Sequence, residues 1–318
     1  MSSSSLSLVS IVKGNDPEAM VREAVELLGG LNLYVKEGQR VFIKPNVCGG
    51  VPGKPGSFTN TAVVASMVKL LSSMSVAVSV GDADSCMYMA DVMLPETKIG
   101  EVAMKHGAEV VNLSRGDMVK IDVPDGYAVK SLNVNKTVAD ADAIIAMPVM
   151  KTHGSTVVTL GMKVLFGILP ERKKSRYHPR LDHVIVDIAS ALKPCLTMID
   201  GTIGMEGEGP FKGDPVELGV VIAGNNIVST DACAAAVMGI DPSSIEHLRL
   251  ASEKRLGTIN LDEIEVRGKP IEAVRRTFRQ ATPEKRDRAL SKISVELGYR
   301  AIHGYYEEAV KSWKEAAR

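Results

Sequence analysis

Residues 40–47 read RVFIKPNV, residues 59–74 read TNTAVVASMVKLLSSM, and residues 76–84 read VAVSVGDAD. The outer two are short, β-branched and apolar until their polar tips. The middle one places apolar residues at helical spacing behind Thr59 or Asn60, either of which can cap a helix. Strand, crossover helix and strand is the pattern of a mostly parallel sheet covered on both faces by helices.

The pattern extends in both directions. Upstream, LSLVSIVKG (6–14) reads as a strand and Asp16-Pro17 as a helix start. Downstream come a helix over 96–106, a strand over 108–113 and strand-like runs to about Val138. A second set then follows: the strand AIIAMPVMKTH (143–153), helix-like segments at 158–165 and 183–192, the strands CLTMIDG and LGVVIAG, and a helix over 229–238. The expected fold class is therefore α/β, with mostly parallel β-sheets flanked by helices, two lobes with a crevice between them, and a helical C-terminal arm. The boundaries fall at 1–140, 141–269 and 270–318, and the second lobe carries the chemistry-bearing motifs.

Lys+Arg and Asp+Glu both number 38, so no overall field draws the chain to nucleic acid or an anionic membrane. With only 4% aromatic residues, stacking platforms for bases are scarce as well. Four dispersed cysteines, no secretory leader and no run of about 18 apolar residues point to a cytoplasmic protein with reduced thiols. Cys48 and Cys86 each follow a strand tip and are expected as buried structural thiols. Walker, HExxH, GxSxG and strand-linked GxGxxG motifs are missing, which removes the ordinary nucleotide-binding and hydrolase readings.

Ligand crevices in open parallel sheets lie at the carboxyl ends of the strands. Lys44 and Asn46 stand at one such end, Asp82 and Asp84 at a second, and Lys151, Thr152 and His153 at a third. After His153, the residues Gly154, Ser155 and Thr156 are expected to open a helix whose free N–H groups, with Lys151, His153 and Lys163, hold a carboxylate or phosphate. The competing reading is a buried helix with a snorkelling Lys163. The basic run ERKKSRYHP (171–179) is either solvated surface or, folded over the crevice, a clamp in which His178 and a neighbouring cation grip an anion. In the glycine-rich run IDGTIGMEGEGPFKGDP (199–215), Asp200, Glu206 and Glu208 are candidates for a general base or for oxygen ligands to a hard cation. Asp231 has two readings, a helix N-cap or a carboxylate reaching the crevice.

KPNV, VGDAD, KTH, TLGMKVLFGILP, His178, DGTIGMEGEGPFKG and STDACAAAVMGIDP together resemble the motifs of the family catalogued as domain of unknown function 362, over about 44–257. The resemblance carries the family's pattern onto Lys151, Thr152, His153 and Lys163, then onto Asp200, Gly201, Met205, Glu206, Gly207, Gly209, Pro210 and Asp231. Some members join iron–sulfur modules, but this chain has no CxxCxxC run, so no cluster is expected within it. The layout is also distantly similar, at the level of fold, to nickel-pincer lactate racemases.

Two functions follow as expectations. In the first, an enzyme of the isomerase or redox-associated kind acts on a small anionic substrate. Lys151, His153, Glu206 and Asp200 do the chemistry, and Lys44, Asn46, Asp82, Asp84, Lys163, His178 and Asp231 bind; Glu206 and Glu208 are also the candidate ligands of a divalent metal. In the second, a non-catalytic module binds a cofactor or metal and serves an iron–sulfur redox partner.

Overall fold

The computed structural model describes residues 7–47, 51, 53–282, 293, 296 and 297. Its strands are β1 (Ser7–Lys13), β2 (Arg40–Pro45), β3 (Ala77–Asp82), β4 (Glu109–Asn112), β5 (Met118–Asp122), β6 (Ser131–Asn135), β7 (Ala143–Met147), β8 (Val149–His153), β9 (Val157–Thr159), β10 (Leu196–Glu206), β11 (Asp214–Gly224) and β12 (Ile264–Gly268). β2 and β3 lie parallel, Ile43 opposite Val80, and the helix Thr61–Ser72 crosses between them. That helix starts where the Asn60 side chain accepts from the Ala62 N–H at 2.9 Å. Its Val63, Val64, Met67, Val68 and Leu71 are buried, each contributing roughly 1.5–3 kcal/mol of apolar transfer.

Among the described residues ten strands form one sheet, ordered β12-β1-β11-β10-β7-β2-β3-β4, with β8 on β10 and β9 on β8; β5 and β6 make a separate hairpin. The run β10-β7-β2-β3-β4 is parallel throughout, and β11 enters antiparallel between β10 and β1. Strands from both sides of residue 140 share this sheet, since β2 pairs with β7 and β1 with both β11 and β12. From β2 the chain steps outward to β3 and β4; from β7 it steps the other way to β10. The order thus reverses between β2 and β7, where such sheets open a crevice at their carboxyl edge.

Several elements differ from expectation. The helix expected over 96–106 is two helices, Ala90–Glu96 and Ile99–Lys105, because the Thr97 hydroxyl bonds back to the Met93 carbonyl and Lys98 adopts a left-handed φ of 59°. The strand 143–153 is broken by Pro148, which has no N–H for a ladder; β7 ends before it, and β8 resumes farther along β10, with Lys151 opposite Met205. Gly154–Thr156 do not open a helix. They turn the chain into β9, antiparallel to β8 with His153 opposite Val157, and a short helix begins only at Gly161. Asp231 is no N-cap: the helix Ile227–Val237 is capped by Asn226, whose side chain accepts from the Val228 and Ser229 N–H groups. Beyond Pro270 a short helix, Ile271–Val274, leads into an irregular segment to 282; the rest of the expected arm, apart from residues 293, 296 and 297, and Cys48 lie outside the described residues.

Candidate functional site

At the tip of β2, Lys44 is fully buried. Its Nζ lies 2.8 Å from Asp82 Oδ1 at the tip of β3 and donates to the Pro45 carbonyl at 2.6 Å. Asp82 is itself fixed, accepting from the Ala83 N–H at 2.9 Å and from the Val47 N–H at 3.1 Å. The turn Leu165–Ile168 packs onto this pair so closely that a Cβ on Gly167 would sit 2.7 Å from Asp82 Oδ1 and 2.9 Å from Lys44 Nζ.

On β8, Lys151 is also fully buried and donates to the Ser57 carbonyl at 2.6 Å. Burial, followed by the positive charge of Lys163, pushes its amine down to about 7 against the opposing pull of Asp82. His153 Nδ1 accepts from the Ser155 N–H at 3.0 Å, which assigns the ring proton to Nε2. Burial and the surrounding lysine and histidine charges hold this ring well below its ordinary pKa, so it is neutral. Lys163, on the short helix Gly161–Val164, rests 4.8 Å from the Phe166 ring centroid. Burial, then the charges of Lys174 and Lys44, push its amine down to about 8. His178 is pushed down to about 4, by burial first and then by Lys163.

These groups share one cavity of about 680 Å³. Lys44, Asn46 and Asp82 contribute from the sheet edge, Lys151, His153 and Lys163 from the segment after β7, and His178 and Glu208 from two loops. Asn46 Oδ1 and Thr159 Oγ1, on residues that line it, are buried and find no hydrogen-bond partner among the described residues. The loop carrying Glu208 is held against β8: Thr152 donates to the Gly207 carbonyl at 2.9 Å, and Gly154 N–H to the Gly209 carbonyl at 3.1 Å.

Asp84, Asp200, Glu206 and Asp231 are not part of the lining, and each is engaged with backbone N–H groups elsewhere. Asp84 accepts from Ala90 N–H and from the Asn112 amide. Asp200 accepts from the N–H groups of Asn60 and Thr202 and from the Thr202 hydroxyl, and so docks the start of the helix Thr61–Ser72. Glu206 accepts from the Arg279 N–H at 3.1 Å. Asp231 places one oxygen 2.7 Å from the Gly161 N–H and the other 2.8 Å from the Met162 N–H. The anion at this helix N-terminus is thus the protein's own carboxylate. Burial pushes Asp231 up to about 7, against the pull of those two N–H groups.

Glu208, although it lines the cavity, accepts from the Thr282 N–H at 2.9 Å. Among the described residues no group of three or more His, Cys, Asp or Glu side chains comes together as a metal site, and Glu206 lies outside the cavity lining that Glu208 joins. Sequence reasoning passed over Lys212, Thr159 and Phe211, which also line the cavity. Lys212 and Phe211 lie within the glycine-rich run 199–215, shortly after Glu208, and that adjacency was the available signal. Thr159 gave none, because its position depends on the β8–β9 turn.

Comparison with known proteins matches residues 41–236 to the family described as Domain of unknown function (DUF362). A thylakoid-associated protein of Synechocystis sp. is 30% identical over 254 residues, 75% of this chain and 74% of that protein. Among solved structures, the lactate racemase apoprotein from Thermoanaerobacterium thermosaccharolyticum is similar with a TM-score of 0.48 and 15% identity. That likeness covers 74% of this chain, which spans 58% of the racemase chain. Among the described residues no helix is long and apolar enough to cross a membrane.

Proposed function

This chain belongs to the DUF362 family, and from that premise we propose that its cavity is an active site for a small anionic substrate, in which Lys44 and Lys163 hold the anion and Lys151 exchanges a proton with it. The observation that supports this reading is the meeting of three lysines from separate segments in one cavity, two of them fully buried. Gathering ammonium groups away from water is costly; Asp82 offsets part of that cost, and a negative ligand would lower it further. An amine with a pKa near 7 populates both protonation states at neutral pH, as a general acid or base requires. His153, neutral and carrying its proton on Nε2, is the donor suited to an oxygen on which charge develops. Asp82 orients Lys44, and Glu208 is the second carboxylate of the lining.

Anion binding stabilises the ammonium form of Lys151, so binding near neutral pH takes up protons. Isothermal titration of a panel of small carboxylates and phosphates, repeated in buffers of different ionisation heat, reads that uptake directly. Incubation of the same panel in D₂O, followed by NMR, reads exchange of carbon-bound hydrogen. Lys151→Met is expected to remove the share of the proton uptake due to Lys151 and to abolish any exchange, whereas wild-type protein that binds none of the panel would refute the reading.

A further inference from the structure

The lysines around the cavity differ in what holds them. Lys44 and Lys151 are fully buried and tied to the Pro45 and Ser57 carbonyls. In the basic loop 171–180, Lys174 is buried and donates to the Asp84 carbonyl at 3.0 Å, while Lys173 and Arg176 face solvent in ion pairs with Glu296 and Glu171. Lys212 lines the cavity but is exposed to solvent. Lys163 combines two properties that these lysines do not share. It is half-buried in the lining, and its Nζ meets no hydrogen-bond acceptor or carboxylate among the described residues. Its neighbour is the Phe166 ring, 4.8 Å away at the centroid, and an edge-to-face contact with Tyr177 at 5.9 Å holds that ring. The backbone is fixed as well, since Asp231 holds Gly161 and Met162 just before it.

An aromatic face steadies the ammonium form but does not engage the nitrogen lone pair once the proton has left. A lysine withdrawn from water beside other cations is activated as a nucleophile. With Lys163 held at about 8, roughly a tenth of it is free amine at neutral pH, against less than about a thousandth of a solvated lysine. We infer that Lys163 is a covalent site, whose amine condenses with the aldehyde or ketone carbonyl of an anionic ligand to form an imine. The inference rests on the anion-site reading above and narrows the ligand to a carboxylate or phosphate that also carries a carbonyl group. The Lys163 nitrogen bonds to the carbonyl carbon while the carbonyl π electrons move to oxygen, which takes up the proton that the amine gives away. The C–O bond of this carbinolamine then breaks, its oxygen leaves as water with one further proton, and the nitrogen lone pair closes the C=N bond. Counted from the ammonium, one lysine and one carbonyl give one protonated imine and one water, with no oxidant or reductant. Lys151, part ammonium near neutral pH, is the cavity group able to supply that further proton. The protonated imine in turn acidifies the neighbouring C–H, whose proton Lys151 can then take.

Sodium cyanoborohydride reduces a protonated imine to a stable secondary amine and so traps the adduct. The full chain is incubated with pyruvate, levulinate or dihydroxyacetone phosphate plus the reductant, then weighed intact and as peptides by mass spectrometry. The expected result is a single reduced adduct per chain with at least one probe, on the peptide position of Lys163, with a yield that excess acetate or phosphate lowers several-fold. Lys163→Met should lose it, and so should Lys163→Arg, which keeps a cation but lacks the nucleophile. Peptide mapping of the wild type alone decides the matter should either variant fold poorly. Probes that bind in isothermal titration yet leave no adduct, or an adduct on Lys151 or on exposed lysines in place of Lys163, would overturn the covalent site and leave the anion site standing. A yield at Lys163 that neither competitor lowers would separate it from the anion site and overturn the inference as well. Wild-type protein that neither binds nor is trapped by any of these probes would overturn both readings.

Discussion

Gly167 shows how much of the site turns on single atoms. The Lys44–Asp82 pair leaves no room above it for a Cβ, and Asp82 cannot retreat without losing the Ala83 and Val47 N–H bonds. Gly167→Ala is therefore expected to destabilise the fold by roughly 1–3 kcal/mol, the usual range for overpacking, and to weaken anion binding by displacing Lys44. Urea unfolding and titration with phosphate check it; unchanged values in both would show that the turn yields freely. At this scale the cations were legible in sequence. Lys44, Lys151 and His153 end apolar strands, and Lys163 follows soon after, so strand direction alone sends them to one edge. Of the carboxylates, Asp82 was legible for the same reason, whereas Asp200 and Asp231 were not. Asp200 finds the Asn60 N–H and Asp231 the Gly161 N–H, and no local pattern marks those distant donors.

Among elements, the short helix Gly161–Val164 is the one most dependent on a remote partner. Its first two N–H groups are satisfied by Asp231 from the helix Ile227–Val237, and Gly161 must lack a side chain because a Cβ there would lie 2.8 Å from Asp231 Oδ1. Asp231→Asn turns an amide N–H₂ toward one backbone donor. It should cost roughly 1–3 kcal/mol, the penalty of a buried group left without a partner, and should loosen Lys163. A lowered melting temperature together with weaker anion affinity is expected, and wild-type behaviour in both would refute the capping role. The helix was sought five to seven residues too early because Gly154, Ser155 and Thr156 suit a helix start and a hairpin turn equally well. Pairing with β10, far along the chain, determines that β8 and β9 are strands.

Over the whole molecule, the buried amines couple stability to pH. Lys151 and Lys163 are pushed down to about 7 and about 8 in the folded state, against 10.5 for a solvated lysine. Between those values and 10.5 these two amines bind more protons in the unfolded chain than in the folded one, so their contribution to the stability of the empty protein rises with pH across this window. Below about 7 both ammonium groups burden the fold in full. A saturating anion restores the protons and flattens the rise, and Lys151→Met removes the part due to Lys151. Urea unfolding of wild type and variant at several pH values between about 6 and about 10, with and without pyrophosphate, measures these slopes; equal slopes for the two proteins would contradict the assignment.

By itself the sequence determined the α/β class, the parallel βαβ run, the family and the set of cations gathered at the sheet edge. Those features follow from side-chain periodicity and strand direction, which neighbouring residues impose on one another. Only the tertiary structure decided which acids face the cavity, which half of the basic loop is buried, and where the broken strand resumes. A buried charge must be satisfied by whatever group the fold brings to it, and that group can come from any distance along the chain.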